Sequence, residues 1–274
     1  MRRPKPVRRL PQPLLALLEA RLPIELGTTL WSLGTLRGAP PGDGHPVLLL
    51  PGFGATDKSM DPLRMFLSRH NYQVETWGLG RNRGFDRRFA EMVEQKIRFM
   101  HYKAARRVSL VGWSLGGVFA FYAAHVAPEC VRLAISLGSP LRHDPDKPAP
   151  FGVRAMYRAL AGPSAATHAA RARSRAMREP PPVPSTCLYS ELDALVRPEQ
   201  ATLDGGPLDH ENICVPGSHL GLPVNARVVW IVANRLAQPE GRWRPFDVSS
   251  MPAQLRDGVR PIGPAAVPES RAAG

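Results

Sequence analysis

The stretch RVSLVGWSLGGVFAFYAAHV, residues 107–126, changes character twice within a few residues. It begins as a short apolar run, which is how a parallel strand buried on both faces reads. Gly112, Ser114 and Gly116 then satisfy G-x-S-x-G, and a segment rich in alanine and aromatic residues follows. Strand, sharp turn and helix in that order present a serine hydroxyl at the edge of a sheet, where an isolated G-x-S-x-G match does not. The small residues around Ser114 let the helix cross close to the strand. An ordinary helix-capping serine is the alternative that this context disfavours.

Working outward, the same alternation continues on both sides. PVLLL (46–50), YQVETW (72–77), RVSLVG (107–112), VRLAISLG (131–138), STCLYS (185–190) and NICVP (212–216) read as strands. Helical spacing appears in Met60, Leu63, Phe66 and Leu67, in Phe85, Phe89, Met92, Val93, Ile97 and Met100, from Leu115 to about His125, and from Val224 to Leu236. The expected fold class is therefore α/β, a mostly parallel sheet with helices on both faces. Residues 142–184 interrupt the rhythm between two proline-rich edges. Phe151, Met156 and Tyr157 lie within this insertion, read as a cap over the strand ends. Three parts are expected: a basic, helical N-terminal extension over 1–44, the main domain over 45–236, and a tail over 237–274 that is partly disordered. Within the extension a short apolar helix is expected to break at Pro23 before a second apolar piece. From Val259 onward the tail looks too weakly patterned to be core.

A serine hydroxyl attacks a carbonyl only when a base takes its proton and a third group orients the base. His219, in VPGSHLG after the last of these strands, is the best-placed base. His210 is its strongest rival, but stands before that strand, at the wrong end. Beyond the penultimate strand, SELD offers Asp193 as the orienting acid, with Glu191 as the alternative. The loop PGFG (51–54) supplies a candidate for the oxyanion site, where developing negative charge needs preorganised backbone N–H donors. The N–H of Leu115 is the first donor expected and that of Phe53 the second.

These motifs, HPVLLLPGFG, GWSLGG, SELDALV and VPGSHLG, resemble the α/β-hydrolase superfamily over roughly residues 45–236, especially its bacterial lipases and esterases. The resemblance implies Ser114 as nucleophile, Asp193 as acid, His219 as base, and Phe53 and Leu115 as oxyanion donors. Two departures stand out. The opening loop is PGFG rather than the HG of many esterases, and the two antiparallel strands that usually begin the sheet are replaced by helix over residues 13–38. The implied function is a serine hydrolase cleaving carboxylic esters with medium or long acyl chains, or lipid esters, through an acyl-enzyme. A thioesterase or acyltransferase using the same residues is one alternative, and a nonenzymatic interaction protein on the same fold is another.

Composition narrows the remaining classes. With 274 residues, 43% of them apolar and 22% charged, the chain suffices for one substantial core and is neither a disordered tail nor a disulfide-stapled miniature. Cys130, Cys187 and Cys214 are far apart and match no metal-ligand spacing. The loop GLGRNRG (78–84) has the wrong spacing for a dinucleotide fingerprint, leaving Arg81 and Arg83 solvated or at a substrate entrance. No cofactor or metal is expected. The net charge of +13 names no nucleic-acid partner, although Arg2, Arg3, Lys5, Arg8 and Arg9 beside an apolar segment raise peripheral contact with an anionic membrane. A cytoplasmic location, with or without that contact, is the expectation. Oligomeric state is not legible.

Overall fold

The computed structural model describes residue 17 and residues 19–142, 179–204 and 209–262. Seven strands form one sheet in the order β2-β1-β3-β4-β5-β6-β7. They are β1 (Pro46–Leu50), β2 (Gln73–Thr76), β3 (Val108–Trp113), β4 (Val131–Leu137), β5 (Ser185–Tyr189), β6 (His210–Cys214) and β7 (Arg260–Ile262). The first six run parallel, and β7 closes the edge antiparallel to β6. Among the described residues the helices of more than two turns are α1 (Leu22–Trp31), α2 (Asp61–Arg69), α3 (Arg87–Ala104), α4 (Leu115–Val126) and α5 (Ala226–Leu236).

Strand side chains alternate between two cores. Val47 and Leu49 face a cluster with Leu63 and Leu67 of α2 and Val228, Ile231 and Val232 of α5. Leu48 and Leu50 face the opposite cluster, with Ile97 of α3 and Phe119 of α4. Burial on both faces explains why β1, β3 and β4 read as continuous apolar runs rather than alternating ones. This two-sided sandwich is the α/β architecture expected from the sequence. The insertion leaves the sheet after β4 and rejoins it at β5. Residues 143–178, including Phe151, Met156 and Tyr157, lie outside the described residues.

Pro23 stands where a helix begins: it occupies the first turn of α1, just after a 3₁₀ turn, where a missing N–H costs nothing, and most of the piece expected before it lies outside the described residues. One expectation changes. The tail is not peripheral through Val259. Phe246, Met251, Leu255 and Val259 are buried in the α2/α5 core, and Arg260–Ile262 pairs with β6. Irregular spacing between prolines hid them, since no helical or strand period links them. Residues 263–274 lie outside the described part. Helix α1 meets the domain through a polar side chain. Ile24, Leu26, Leu30 and Trp31 are exposed, Trp31 at 93%, and the residue that α1 buries is Glu25.

Candidate active site

Parallel strands put all their carboxyl ends on one edge, and there the loops after β3, β5 and β6 meet. Ser114 follows β3 with φ 52° and ψ −121°, a conformation costing on the order of 1–3 kcal/mol for a residue with a side chain. The turn is held by the Ser114 N–H, which donates to the Leu137 carbonyl at 2.8 Å. It also depends on glycines. A Cβ at Gly116 would collide with the Leu50 carbonyl oxygen, and one at Gly112 with the backbone of Gly116 and Gly117. The hydroxyl is thus pushed to the edge, half-buried, directly ahead of α4.

The Ser114 hydroxyl donates to His219 Nε2 at 3.0 Å, and His219 Nδ1–H donates to Asp193 Oδ2 at 2.6 Å. An acceptor-only carboxylate requires the proton on Nδ1, which leaves Nε2 free to accept from the serine. Asp193 itself is fixed, because its Oδ1 accepts the N–H groups of Leu195 at 2.8 Å and Val196 at 2.7 Å. Burial pulls the His219 pKa down, but the charge and hydrogen bond of Asp193, together with the charge of Glu19, more than offset it. The net shift is upward. Glu191, the alternative acid, is instead paired with Arg260 at 2.8 Å.

Two other histidines also bond serines. His45 Nε2 lies 2.7 Å from Ser109 Oγ while its Nδ1 faces Asp43 at 2.5 Å, and His210 Nδ1 lies 2.8 Å from Ser185 Oγ. Both stand at the amino ends of their strands and are buried with their serines. Burial, aided by the charge of Arg132, lowers the His45 pKa to about 4, and burial lowers that of His210 as well. Neither imidazole is suited to hold a proton taken from serine.

The loop 51–54 lies across β1's carboxyl end, with the Phe53 side chain partly buried against the core that contains Leu115. The Leu115 N–H opens α4, in the turn whose N–H groups have no partner within the helix. Two supports were not legible in the sequence. Asn82 is fully buried; its side chain donates to the Pro51 carbonyl at 2.9 Å, and its backbone pairs with Gly54 N–H and the Ala55 carbonyl. Beside it, Arg81 donates to the Gly54 carbonyl at 2.5 Å. The loop that faintly resembled a nucleotide fingerprint therefore braces PGFG. Trp113, next to the serine, donates its indole N–H to the His219 carbonyl at 3.0 Å.

Among the described residues no group of three His, Cys, Asp or Glu side chains could hold a metal ion, and the three cysteines are buried and free. No helix of the described residues is long and apolar enough to cross a membrane.

A family model described as alpha/beta hydrolase fold matches residues 47–182, the span that holds β1 through β4 and the Ser114 turn. The chain belongs to the α/β-hydrolase superfamily. It is 33% identical over 108 residues to the human serine hydrolase BPHL; the match covers 36% of this chain and 37% of that protein. Among solved structures, Aspergillus fumigatus lipase B is similar at a TM-score of 0.57 and 18% identity, over 81% of this chain and 61% of that one. The mature Bacillus licheniformis lipase BlEst2 is similar at 0.54 and 15%, over 74% and 95% respectively. At these identities the structures speak for the fold alone. Within this superfamily the chain has the serine-hydrolase arrangement, with Ser114, His219 and Asp193 in one hydrogen-bonded series.

Proposed function

We propose that this α/β-hydrolase cleaves carboxylic esters by covalent catalysis. The observation that carries the reading is the unbroken Ser114–His219–Asp193 series at the sheet edge, with its serine held in a strained, half-exposed turn. His219 Nε2 takes the Ser114 proton as Oγ bonds to the ester carbonyl carbon, and Asp193 stabilises the imidazolium. The N–H groups of Phe53 and Leu115 receive the oxyanion. The C–O bond to the alcohol then breaks, the alcohol leaves with the proton from His219, and an acyl-Ser114 remains. Water repeats the steps in reverse roles and releases the acid. Mass spectrometry after treatment with a fluorophosphonate should place one adduct on Ser114. Labelling of another serine in folded, active protein would sink the assignment.

The substrate class proposed is an ester with a medium or long acyl chain; its support is the apolar residues of the insertion between β4 and β5, Phe151, Met156 and Tyr157, whose sequence suits an acyl cleft. Each CH₂ that such a cleft withdraws from water contributes roughly 0.8 kcal/mol. In a kcat/KM series over soluble p-nitrophenyl esters, longer chains should outrun acetate. A maximum at acetate defeats the acyl cleft, and exclusive cleavage of matched thioesters moves the protein to the thioesterase branch.

Contact with an anionic lipid surface belongs to the same proposal. Its support is the exposed apolar set Leu17, Ile24, Leu30 and Trp31 following a segment with Arg2, Arg3, Lys5, Arg8 and Arg9. Vesicles rich in phosphatidylglycerol should sediment the full chain at low salt and lose it when Leu30→Ser and Trp31→Ser are combined. Equal, negligible sedimentation of both proteins removes the membrane reading.

A further inference from the structure

The N-terminal segment meets the rest of the molecule through two carboxylates. Glu19, in a single 3₁₀ turn (Glu19–Arg21) before α1, accepts the N–H groups of Ala194 at 3.1 Å and His219 at 3.0 Å through Oε1. Its Oε2 accepts the N–H of Leu220 at 3.0 Å. Glu25 accepts the Ser218 N–H at 2.7 Å through Oε1 and the Ser218 hydroxyl at 2.7 Å through Oε2. Thr29 adds a hydroxyl bond to the Val224 carbonyl at 2.5 Å. Every donor received by the two carboxylates is on, or next to, Asp193 or His219.

We propose that Glu19 and Glu25 are positioning residues for the reaction. Together they tie the loop carrying Asp193 to the loop carrying His219 and hold Nε2 at the Ser114 hydroxyl. This deepens the ester-hydrolase reading and rests on it. Backbone N–H groups bonded to carboxylates form charge-assisted bonds, roughly twice as strong as neutral ones, so the brace resists drift of either loop. The loop is shaped to receive it: a Cβ at Gly221 would fall on Glu25 Oε2, while Gly221 has φ −81°, which any residue adopts. Glycine here makes room for the carboxylate rather than for the backbone.

Glu19 also faces His219 electrostatically. The charged groups around that imidazole among the described residues are Asp193, from the loop after β5, and Glu19; Glu25 lies one residue away at Ser218, and Trp113 and Ser114 add no charge. Removing the Glu19 charge disfavours the imidazolium, so the pH at which Ser114 loses reactivity should move downward.

The test follows the rate of fluorophosphonate labelling at Ser114 against pH, with kcat and KM for one ester. Glu25→Ala should lower the plateau labelling rate and kcat about a hundredfold, the order expected of a displacement near 1 Å, with KM little changed. Glu25→Gln should recover most of the rate, because its oxygen accepts the Ser218 N–H and its amide donates to Ser218 Oγ. Gly221→Ala should reproduce the Glu25→Ala loss by expelling the carboxylate, and the double variant should lose no more than either single one. Glu19→Gln should shift the acid limb to lower pH. Additive losses for Gly221→Ala and Glu25→Ala, parental rates in both, or an unmoved limb in Glu19→Gln would overturn the proposal. If Glu25→Ala does not fold, Glu25→Gln against Gly221→Ala decides it. An unlabelled Ser114 in the parent chain would instead sink the hydrolase reading. Amide exchange at Ser218 and His219 reads the brace without any chemistry: slow in the parent, it should rise tenfold or more in Glu25→Ala, and unchanged exchange counts against it.

Discussion

Ser109 and Ser114 lie on one strand and its turn, and each hydroxyl bonds a histidine that faces an aspartate. What separates them is charge. Asp43 also pairs with Arg132 and Arg106, both at 2.7 Å, and these cations join burial in disfavouring a His45 imidazolium, outweighing the hydrogen bond and charge of Asp43. Asp193 pairs with no lysine or arginine among the described residues, and its charge and hydrogen bond raise the His219 pKa. Because the His219 pKa is raised above its ordinary 6.5, kcat/KM should fall as pH drops through a limb lying above that value; a limb below it would contradict the assignment. Asp193→Asn should cost on the order of a thousandfold or more in kcat, since tautomer control and the stabilising charge go together. With burial then less opposed, the limb should also move to lower pH. Glu191→Gln, which breaks only the pair with Arg260, and Ser109→Ala should leave steady-state turnover within a few-fold of the parent.

At the scale of elements, the loop after β1 and helix α1 are each held by polar groups that propensity does not announce. Asn82 satisfies the Pro51 carbonyl and Gly84 N–H while paired along its backbone with Gly54 and Ala55. Asn82→Ala leaves those groups unpaired in a buried site and frees the loop that carries the Phe53 N–H. Turnover should drop by about a hundredfold, the range seen when one oxyanion donor is lost, with a smaller change in KM. Parental turnover would mean that the loop is held by Arg81 and its neighbours alone. Helix α1 inverts the ordinary rule that apolar faces turn inward. The segment is apolar, as the sequence reads, but the domain offers that helix backbone donors rather than an apolar groove, so the glutamate goes in.

Over the whole molecule, the sheet continues past the segment that looked like its end. The N–H of Phe246 donates to Glu211 Oε2 at 2.7 Å, and Glu211 also pairs with the buried Arg235 at 2.9 Å. Phe246, Met251, Leu255 and Val259 then fill the core beside α5. Each such side chain contributes roughly 1.5–3 kcal/mol on burial, so truncation after Gln238 removes an amount on the order of the whole stability of a typical domain. The truncated chain should show no cooperative thermal transition near that of the parent. A melting point within a few degrees of it would show that the tail packs without supporting the core.

The first six strands, the Ser114 turn and the loops bearing Asp193 and His219 were legible in the sequence because each is a local matter. A two-sided strand, a glycine-flanked turn and a helix are written in neighbouring residues, and their chain order follows directly. The separation of Asp193 from Glu191 was legible only as a preference, and the pairing of Glu191 with Arg260 supplied its physical ground. Tertiary structure alone decided what holds the site in place. Glu25 and Ser218 are 193 residues apart, Asn82 and Pro51 are 31 apart, and in each bond one partner is a backbone group. Every residue but proline carries such a donor and every residue an acceptor, so bonds of this kind leave no period, motif or spacing in the sequence. They exist only once the chain has folded and brought a distant side chain to the right N–H or carbonyl.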